Sequence, residues 1–243
     1  MPPEHRRYFH LGRQKVNYLT HVSLRHRAVF LEVPKAGCTV VKTILQYSEN
    51  GGRAPEGQDS VHKRATSPLS APFRDDLDLD DLFGPESDFF TFTFVRNPYS
   101  RALSCYLEKI VGKRHLSDVR RPKLGIPLDA EVSFREFLEA VARQKPRGMD
   151  IHWAPQATLA AFGKIQHGFV GRFESFGSDL RWVIDRLGLE APAELVDRPT
   201  SHTTNARDRL MEYYEDERCG ALVREIYRDD FRRLGYGVDV RFA

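Results

Sequence analysis

Residues 89–104 read Phe-Phe-Thr-Phe-Thr-Phe-Val-Arg-Asn-Pro-Tyr-Ser-Arg-Ala-Leu-Ser. The first seven combine aromatic and β-branched side chains without a break, which predicts a buried strand over 89–95. The strand ends at Arg96-Asn97-Pro98, a helix start with Asn97 as N-cap and Pro98 at the first helical position. That helix is predicted to run to about Val111, burying Leu103, Leu107, Ile110 and Val111. Upstream, Ala28–Val33 is a second short strand. Lys35–Gly37 breaks it, and 39–47 follows at helical spacing with Val40, Val41, Ile44 and Leu45 on one face. Residues 49–72 are rich in Gly, Pro, Ser and charge and form a long loop, and 75–83 suits a short acidic helix. Downstream, Ser133-Phe-Arg-Glu136 is a capping box opening a helix to about Gln144. Residues 165–170 are a third strand candidate. Leu180, Val183, Ile184 and Leu187 then mark a helix stopped by Gly188, and two more helices are expected in 207–231. Strands alternating with helices predict an α/β layered fold with a central parallel sheet.

The 243 residues suit a single domain, with 1–27 as a basic, peripheral N-terminal segment. At 41% hydrophobic and 29% charged residues the chain can build a core, which excludes wholesale disorder. Lys+Arg total 37 against 34 Asp+Glu, too even a balance for a protein that works by wrapping nucleic acid. No apolar run reaches the roughly 18 residues of a spanning helix, and the first 25 residues lack a secretion signal. A soluble, cytoplasmic protein without a membrane anchor is the expectation. Cys38, Cys105 and Cys219 show no Cys-x-x-Cys pairing, and the histidines show no metal spacing, so neither a disulfide framework nor a metal site is expected.

Two junctions carry the chemistry. The first, Val33-Pro-Lys-Ala-Gly-Cys-Thr-Val-Val-Lys42, is a glycine-containing turn from a strand into a helix. Such a turn presents backbone N–H groups to an anion. Lys35 adds a charge and Thr39 a hydroxyl; the alternative is a plain connection with a solvated lysine. Gly-x-x-x-x-Gly-Lys-Ser/Thr is absent because Lys35 precedes Gly37, so no Lys-Ser/Thr pair is left to hold magnesium. A cysteine phosphatase loop is excluded as well, since Ile44 stands six residues after Cys38 where arginine is needed. Cys38 is expected to be a packing residue. At the second junction Arg96 leaves the strand end, with Ser100 and Ser104 following at four-residue steps. A guanidinium and hydroxyls on one stripe suit a second phosphate; the alternative is a polar surface with Arg96 paired to an acid. Two anion sites at two strand ends suit a ligand with phosphates on both sides of a nucleoside.

Together these junctions resemble the nucleotide motifs of sulfotransferases that use 3′-phosphoadenosine-5′-phosphosulfate (PAPS). More narrowly, Val33–Thr39 and Phe94–Lys109 are similar to the carbohydrate sulfotransferases acting on chondroitin, dermatan and the HNK-1 glycan. The similarity extends to Asp150-x-His-Trp-x-Pro-Gln156, Phe169-Val-Gly-Arg-Phe-Glu174 and Asp230-Phe-x-x-x-Gly-Tyr236. The resemblance implies a nucleotide-kinase-like, P-loop-type three-layer sandwich. It also implies that Lys35, Ala36, Gly37, Cys38, Thr39 and Val40 wrap the 5′-phosphosulfate while Arg96 and Ser104 bind the 3′-phosphate. Animal members carry a membrane anchor and lumenal disulfides, so this chain is expected to be a soluble, bacterial-type relative.

The implied reaction is in-line transfer of the sulfuryl group from PAPS to a hydroxyl acceptor, expected to be a carbohydrate, with Lys35 stabilising the departing phosphate and no metal. The acceptor's proton needs a base, and the expectation is His62, in the long loop bordering the donor's sulfate. The alternative for His62 is a solvated loop residue. His152 is its rival as base, and His152-Trp153 together are candidates for acceptor contact or packing. Glu174 is expected to fix local structure. The polar loop 200–207 is a candidate cover for the 3′-phosphate, and Lys113, Arg114, Arg120, Arg121 and Lys123 a candidate contact for an acidic glycan or a solvated charge run. Competing readings are a nucleotide kinase on the same fold and a nucleotide- or glycan-binding protein without catalysis.

Overall fold

The apolar run at 89–95 forms the strand it predicts, and the sheet is built around it. The computed structural model describes residues 3–55, 60–74, 76–112, 124–125, 131–197, 206 and 208–242. Four strands, β1 (Thr20–Ser23), β2 (Ala28–Leu31), β3 (Phe90–Val95) and β4 (Phe169–Arg172), lie in the order β1-β2-β3-β4. β2 pairs parallel with β3, Phe30 opposite Phe92, and β3 pairs parallel with β4, Phe94 opposite Gly171. β1 pairs antiparallel with β2, Thr20 opposite Leu31, so the sheet is mixed and only its β2–β4 part has the parallel pairing expected. Every residue of β2 is buried, as is all of β3 after Phe90. Burial on both faces is why these strands read as unbroken apolar runs.

The chain divides into two compact units, Met1–Val95 with Leu159–Ser201, and Arg96–Thr158 with His202–Ala243. The first holds the sheet. Its helix Cys38–Glu49 buries Val40, Val41, Ile44 and Leu45, the face expected from their spacing. Helix Phe176–Leu187 buries Leu180 and Val183 and stops at Gly188, whose φ of 60° suits glycine. The second unit is helical. Asn97 caps the helix Pro98–Tyr106 by accepting from the Tyr99 N–H. Ser133 and Glu136 form the reciprocal capping box of Phe134–Ala142. Among the described residues three helices, Leu210–Tyr213, Glu217–Ile226 and Arg228–Leu234, stand where two were expected, and the last runs past 231.

Several expectations are corrected. The N-terminal segment is not peripheral: it forms helix Arg13–Leu19 and β1, and it buries Tyr8, Phe9, Leu11, Val16, Leu19 and Val22. Its apolar residues lie scattered among the arginines, which hides them from a search for runs. The third parallel strand is 169–172 and not 165–170; Ile165 makes only an isolated bridge to Phe162. After Tyr106 the helix widens into a π-turn, Leu107–Val111, closed by the Gly112 N–H on the Leu107 carbonyl at 2.8 Å. The extra residue in that turn shifts the helical phase. Ile110 stays buried, Leu107 is half-buried, and Val111 comes out 53% exposed. The acidic helix near 75–83 is confined to Leu79–Phe83. Most of the basic segment 112–127, including Lys113, Arg114, Arg120, Arg121 and Lys123, and most of the loop 200–207 lie outside the described residues.

Candidate functional site

In the first unit the chain leaves β2 through Glu32 and Val33 and turns at 34–37 into helix Cys38–Glu49. Two residues of the turn lie in the left-handed region, Lys35 at φ 73° and Gly37 at φ 83°. Gly37 is required on a second count, since a Cβ there would stand 2.3 Å from Cε2 of Phe176. The Ala36 N–H bonds the Val33 carbonyl and the Val40 N–H bonds the Gly37 carbonyl. Gly37, Cys38 and Thr39 open the helix, the positions whose N–H groups an α-helix leaves without an intrahelical acceptor. Lys35 is half-buried and Thr39 exposed, while Ala36, Cys38 and Val40 are buried. Burial pushes the Cys38 thiol up to about 12, with the Glu32 carboxylate adding to the effect, so Cys38 is no nucleophile. None of the three cysteines forms a disulfide, and all are buried.

Behind this turn runs a buried polar chain that the sequence reading missed. Glu32, 2% exposed, accepts from Lys42 Nζ at 2.9 and 3.0 Å on its two oxygens and from His21 Nε2 at 2.8 Å. Arg64 donates to His21 Nδ1 at 2.7 Å and to the Ser70 carbonyl at 3.0 Å. Burial alone would raise the Glu32 carboxyl, but the His21 hydrogen bond and the Lys42 charge outweigh it and hold it well below the usual range. His21 is held neutral, pushed down to about 4 chiefly by burial. At the outer end of the chain, Lys42 Nζ meets His62 Nδ1 at 2.7 Å, and His62 Nε2 lies 3.4 Å from Thr39 Oγ1. His62 is exposed, so the structure brings this histidine to the first turn of the helix beside Thr39. A lone acid in the apolar run 28–33 and a lysine one turn after Cys38 were the signals available in the sequence.

The second unit holds Arg96 and Ser104. The Arg96 backbone is clamped by one side chain: its N–H donates to Gln156 Oε1 at 2.9 Å and its carbonyl accepts from Gln156 Nε2 at 2.7 Å. The Gln156 and Ala157 N–H groups donate in turn to the Asp230 carboxylate at 2.9 and 2.8 Å. Arg96 Nε donates to Ser100 Oγ at 3.0 Å. Arg96 and Ser104 are both buried, with Ser100 between them in the chain and also buried. Arg101, 1% exposed, donates to the carbonyls of Ala154 at 3.0 Å and of Ile151 and His152 at 3.4 Å, holding the 150–154 turn. His152 is partly buried, with Nδ1 2.6 Å from Asp150 Oδ1. Trp153 is fully buried; its indole N–H donates to Gln144 at 2.9 Å and its ring packs edge-on to Phe137. A stacking platform needs an exposed ring face, which the buried Trp153 does not offer, so this residue packs. Glu174 is exposed.

A mixed sheet with helices, whose parallel strand β2 leads through a turn with two left-handed residues into a helix backed by a buried ion network, marks an α/β protein. A sequence model of the Sulfotransferase family matches residues 19–237, and the chain belongs to that family. Similar proteins include carbohydrate sulfotransferase 14 of Danio rerio, 26% identical over 92% of this chain and 64% of its own length. Human carbohydrate sulfotransferase 9 is 28% identical over 88% of this chain and 48% of its own. Mouse carbohydrate sulfotransferase 8 is 30% identical over 71% of this chain and 43% of its own. The chain thus spans between about two fifths and two thirds of the length of these relatives. No solved structure matches it significantly. Among the described residues no helix is long and apolar enough to cross a membrane.

Proposed function

We propose that the protein is a sulfotransferase that moves the sulfuryl group of PAPS to a hydroxyl of a carbohydrate acceptor. Family membership and relatives named carbohydrate sulfotransferases support the class. The observation that carries the reading is the Lys35–Thr39 turn, with its two left-handed residues and its lysine. In this reading the 5′-phosphosulfate lies against the N–H groups of Gly37, Cys38 and Thr39, and Ala36 and Val40 shape the loop. Lys35 and His62 are the catalytic groups, and Arg96 and Ser104 take the 3′-phosphate. The nucleotide-kinase-like three-layer sandwich and the single catalytic domain are part of the same proposal, which the run of the family match through both units supports.

Acceptor oxygen, sulfur and leaving phosphate oxygen line up in such a transfer, and the protein mainly positions groups and stabilises charge. Lys35 offsets the charge that develops on the departing phosphate as the S–O bond breaks. The buried network reinforces it: Lys42 and Arg64 against Glu32, with His21 neutral, leave one net positive charge behind the turn. No magnesium is needed for this chemistry.

The test is transfer of radiolabelled sulfate from PAPS to a panel of glycans and small alcohols, paired with calorimetry of 3′-phosphoadenosine 5′-phosphate. Transfer to a sugar hydroxyl, and binding that persists in chelator, are expected. Nucleotide binding that appears only with magnesium would favour a kinase instead.

A further inference from the structure

Resting on the sulfotransferase reading, we infer that Lys42 is a positioning residue that fixes His62 in its Nε2–H tautomer. His62 then donates a hydrogen bond to the transferred sulfuryl group as its bond to the leaving phosphate breaks, and the acceptor's proton goes to a base other than His62: water or a second side chain. An ammonium has three donors and no acceptor. At Lys42 those donors meet Glu32 Oε1 at 2.9 Å, Glu32 Oε2 at 3.0 Å and His62 Nδ1 at 2.7 Å. The ionised Glu32 carboxylate, itself held by His21, favours the charged form of the lysine facing it. His62 Nδ1 must therefore accept, and a neutral imidazole that accepts at Nδ1 carries its proton on Nε2.

Nε2 is the atom that faces Thr39 at the first turn of the helix Cys38–Glu49. An N–H there attracts the oxygens of an anion, whereas a lone pair would repel them. A base acting from Nε2 would need the opposite tautomer, and moving the proton to Nδ1 would drive an N–H against the Lys42 ammonium. The same logic gives His152 the reverse assignment. Its Nδ1–H donates to the Asp150 carboxylate, so Nε2 carries the lone pair, the electronic state a proton acceptor requires.

The experiment has two arms. Long-range ¹H–¹⁵N spectra of the histidine-labelled full chain distinguish bare from protonated ring nitrogens, with His62 assigned by its loss in His62→Gln. Wild type should show bare Nδ1 and protonated Nε2, and Lys42→Met should release that constraint and give mixed tautomers. The kinetic arm compares His62→Gln, whose amide can still donate but cannot accept a proton, with His62→Ala. The alanine variant should lose about 10²–10³ in kcat, as removal of a transition-state donor does, while the glutamine variant stays within about tenfold of wild type. A protonated Nδ1 in the wild-type spectrum, or a glutamine variant as slow as alanine, overturns the inference. The spectrum needs no turnover. A protein that sulfates no acceptor would defeat the sulfotransferase reading and leave the tautomer decided.

Discussion

Lys35 stands where glycine would be easier, at φ 73°. A side chain in that region costs on the order of 1–2 kcal/mol. On the proposed reading the strain is kept because the lysine is needed in the turn. Lys35→Gly should relieve it, offset in part by the roughly 0.5–1 kcal/mol of extra unfolded-state entropy that glycine brings. Thermal unfolding is therefore expected at or above the wild-type midpoint, while affinity for 3′-phosphoadenosine 5′-phosphate falls at least about tenfold, the loss of one charge-assisted contact. A variant that binds the nucleotide normally would remove Lys35 from the site. This turn was legible in the sequence because Lys35–Gly37 breaks an apolar run and helical spacing follows at once. The chain behind it was not. Glu32, Lys42, His21 and Arg64 lie in four different segments, and only strand pairing and helix phase bring a lone acid, a lysine, a histidine and an arginine into one buried line.

At the scale of elements, caps and apolar runs were the readable features. Asn97 and Ser133 cap their helices as the sequence predicts, and β2 and β3 fall within one or two residues of their expected bounds. β1 escaped because Thr-His-Val-Ser has no apolar run; its burial comes from pairing with β2 and from the Ser70 bridge at Val22. The π-turn escaped because a helical period assumes 3.6 residues per turn throughout. The two caps offer a contrast. Asn97→Ala and Ser133→Ala should each destabilise by about 1 kcal/mol. Asn97 also adjoins Arg96, and its carbonyl accepts from Ser100, the residue on which the Arg96 guanidinium rests. Asn97→Ala should therefore also weaken nucleotide binding, and Ser133→Ala should not. Calorimetry on the two variants, matched by their urea midpoints, decides it; equal affinities would show that the Arg96 junction does not depend on its cap.

Across the whole molecule, two histidines and one aspartate that burial shifts into the acid range divide by unit and act in opposite directions. His21 and His167 belong to the sheet-bearing unit, and burial pushes both down to about 4 from 6.5. His167 is stacked on Phe162 with centroids 4.5 Å apart. Asp230 belongs to the helical unit, and burial pushes it up to about 6 from 3.8 although the Ala157 and Gln156 N–H groups and Arg101 pull it back. A histidine lowered on folding gives stability that is complete above 6.5 and is lost as pH falls towards 4. Between those values the unfolded chain binds one more proton per histidine than the folded one. A carboxyl raised on folding has the reverse effect: its contribution is present below 3.8 and is lost as pH rises through 6. From pH 6 down to 5 the sheet unit should therefore lose stability with a slope of up to two protons, about 1.4 kcal/mol per pH unit for each, and nearer pH 4 Glu32, held below its ordinary range, adds to the loss. Asp230 offsets this in the helical unit by up to one proton. The chain's two tryptophans report the units separately, Trp182 in the first and Trp153 in the second. With Trp153→Phe leaving Trp182 as sole reporter, and Trp182→Phe leaving Trp153, urea midpoints followed by fluorescence from pH 7 to 4 should fall more steeply at Trp182 than at Trp153. Identical slopes would mean that the two units unfold as one cooperative body, and the acid sensitivity would then follow the net of the three groups, two protons less one.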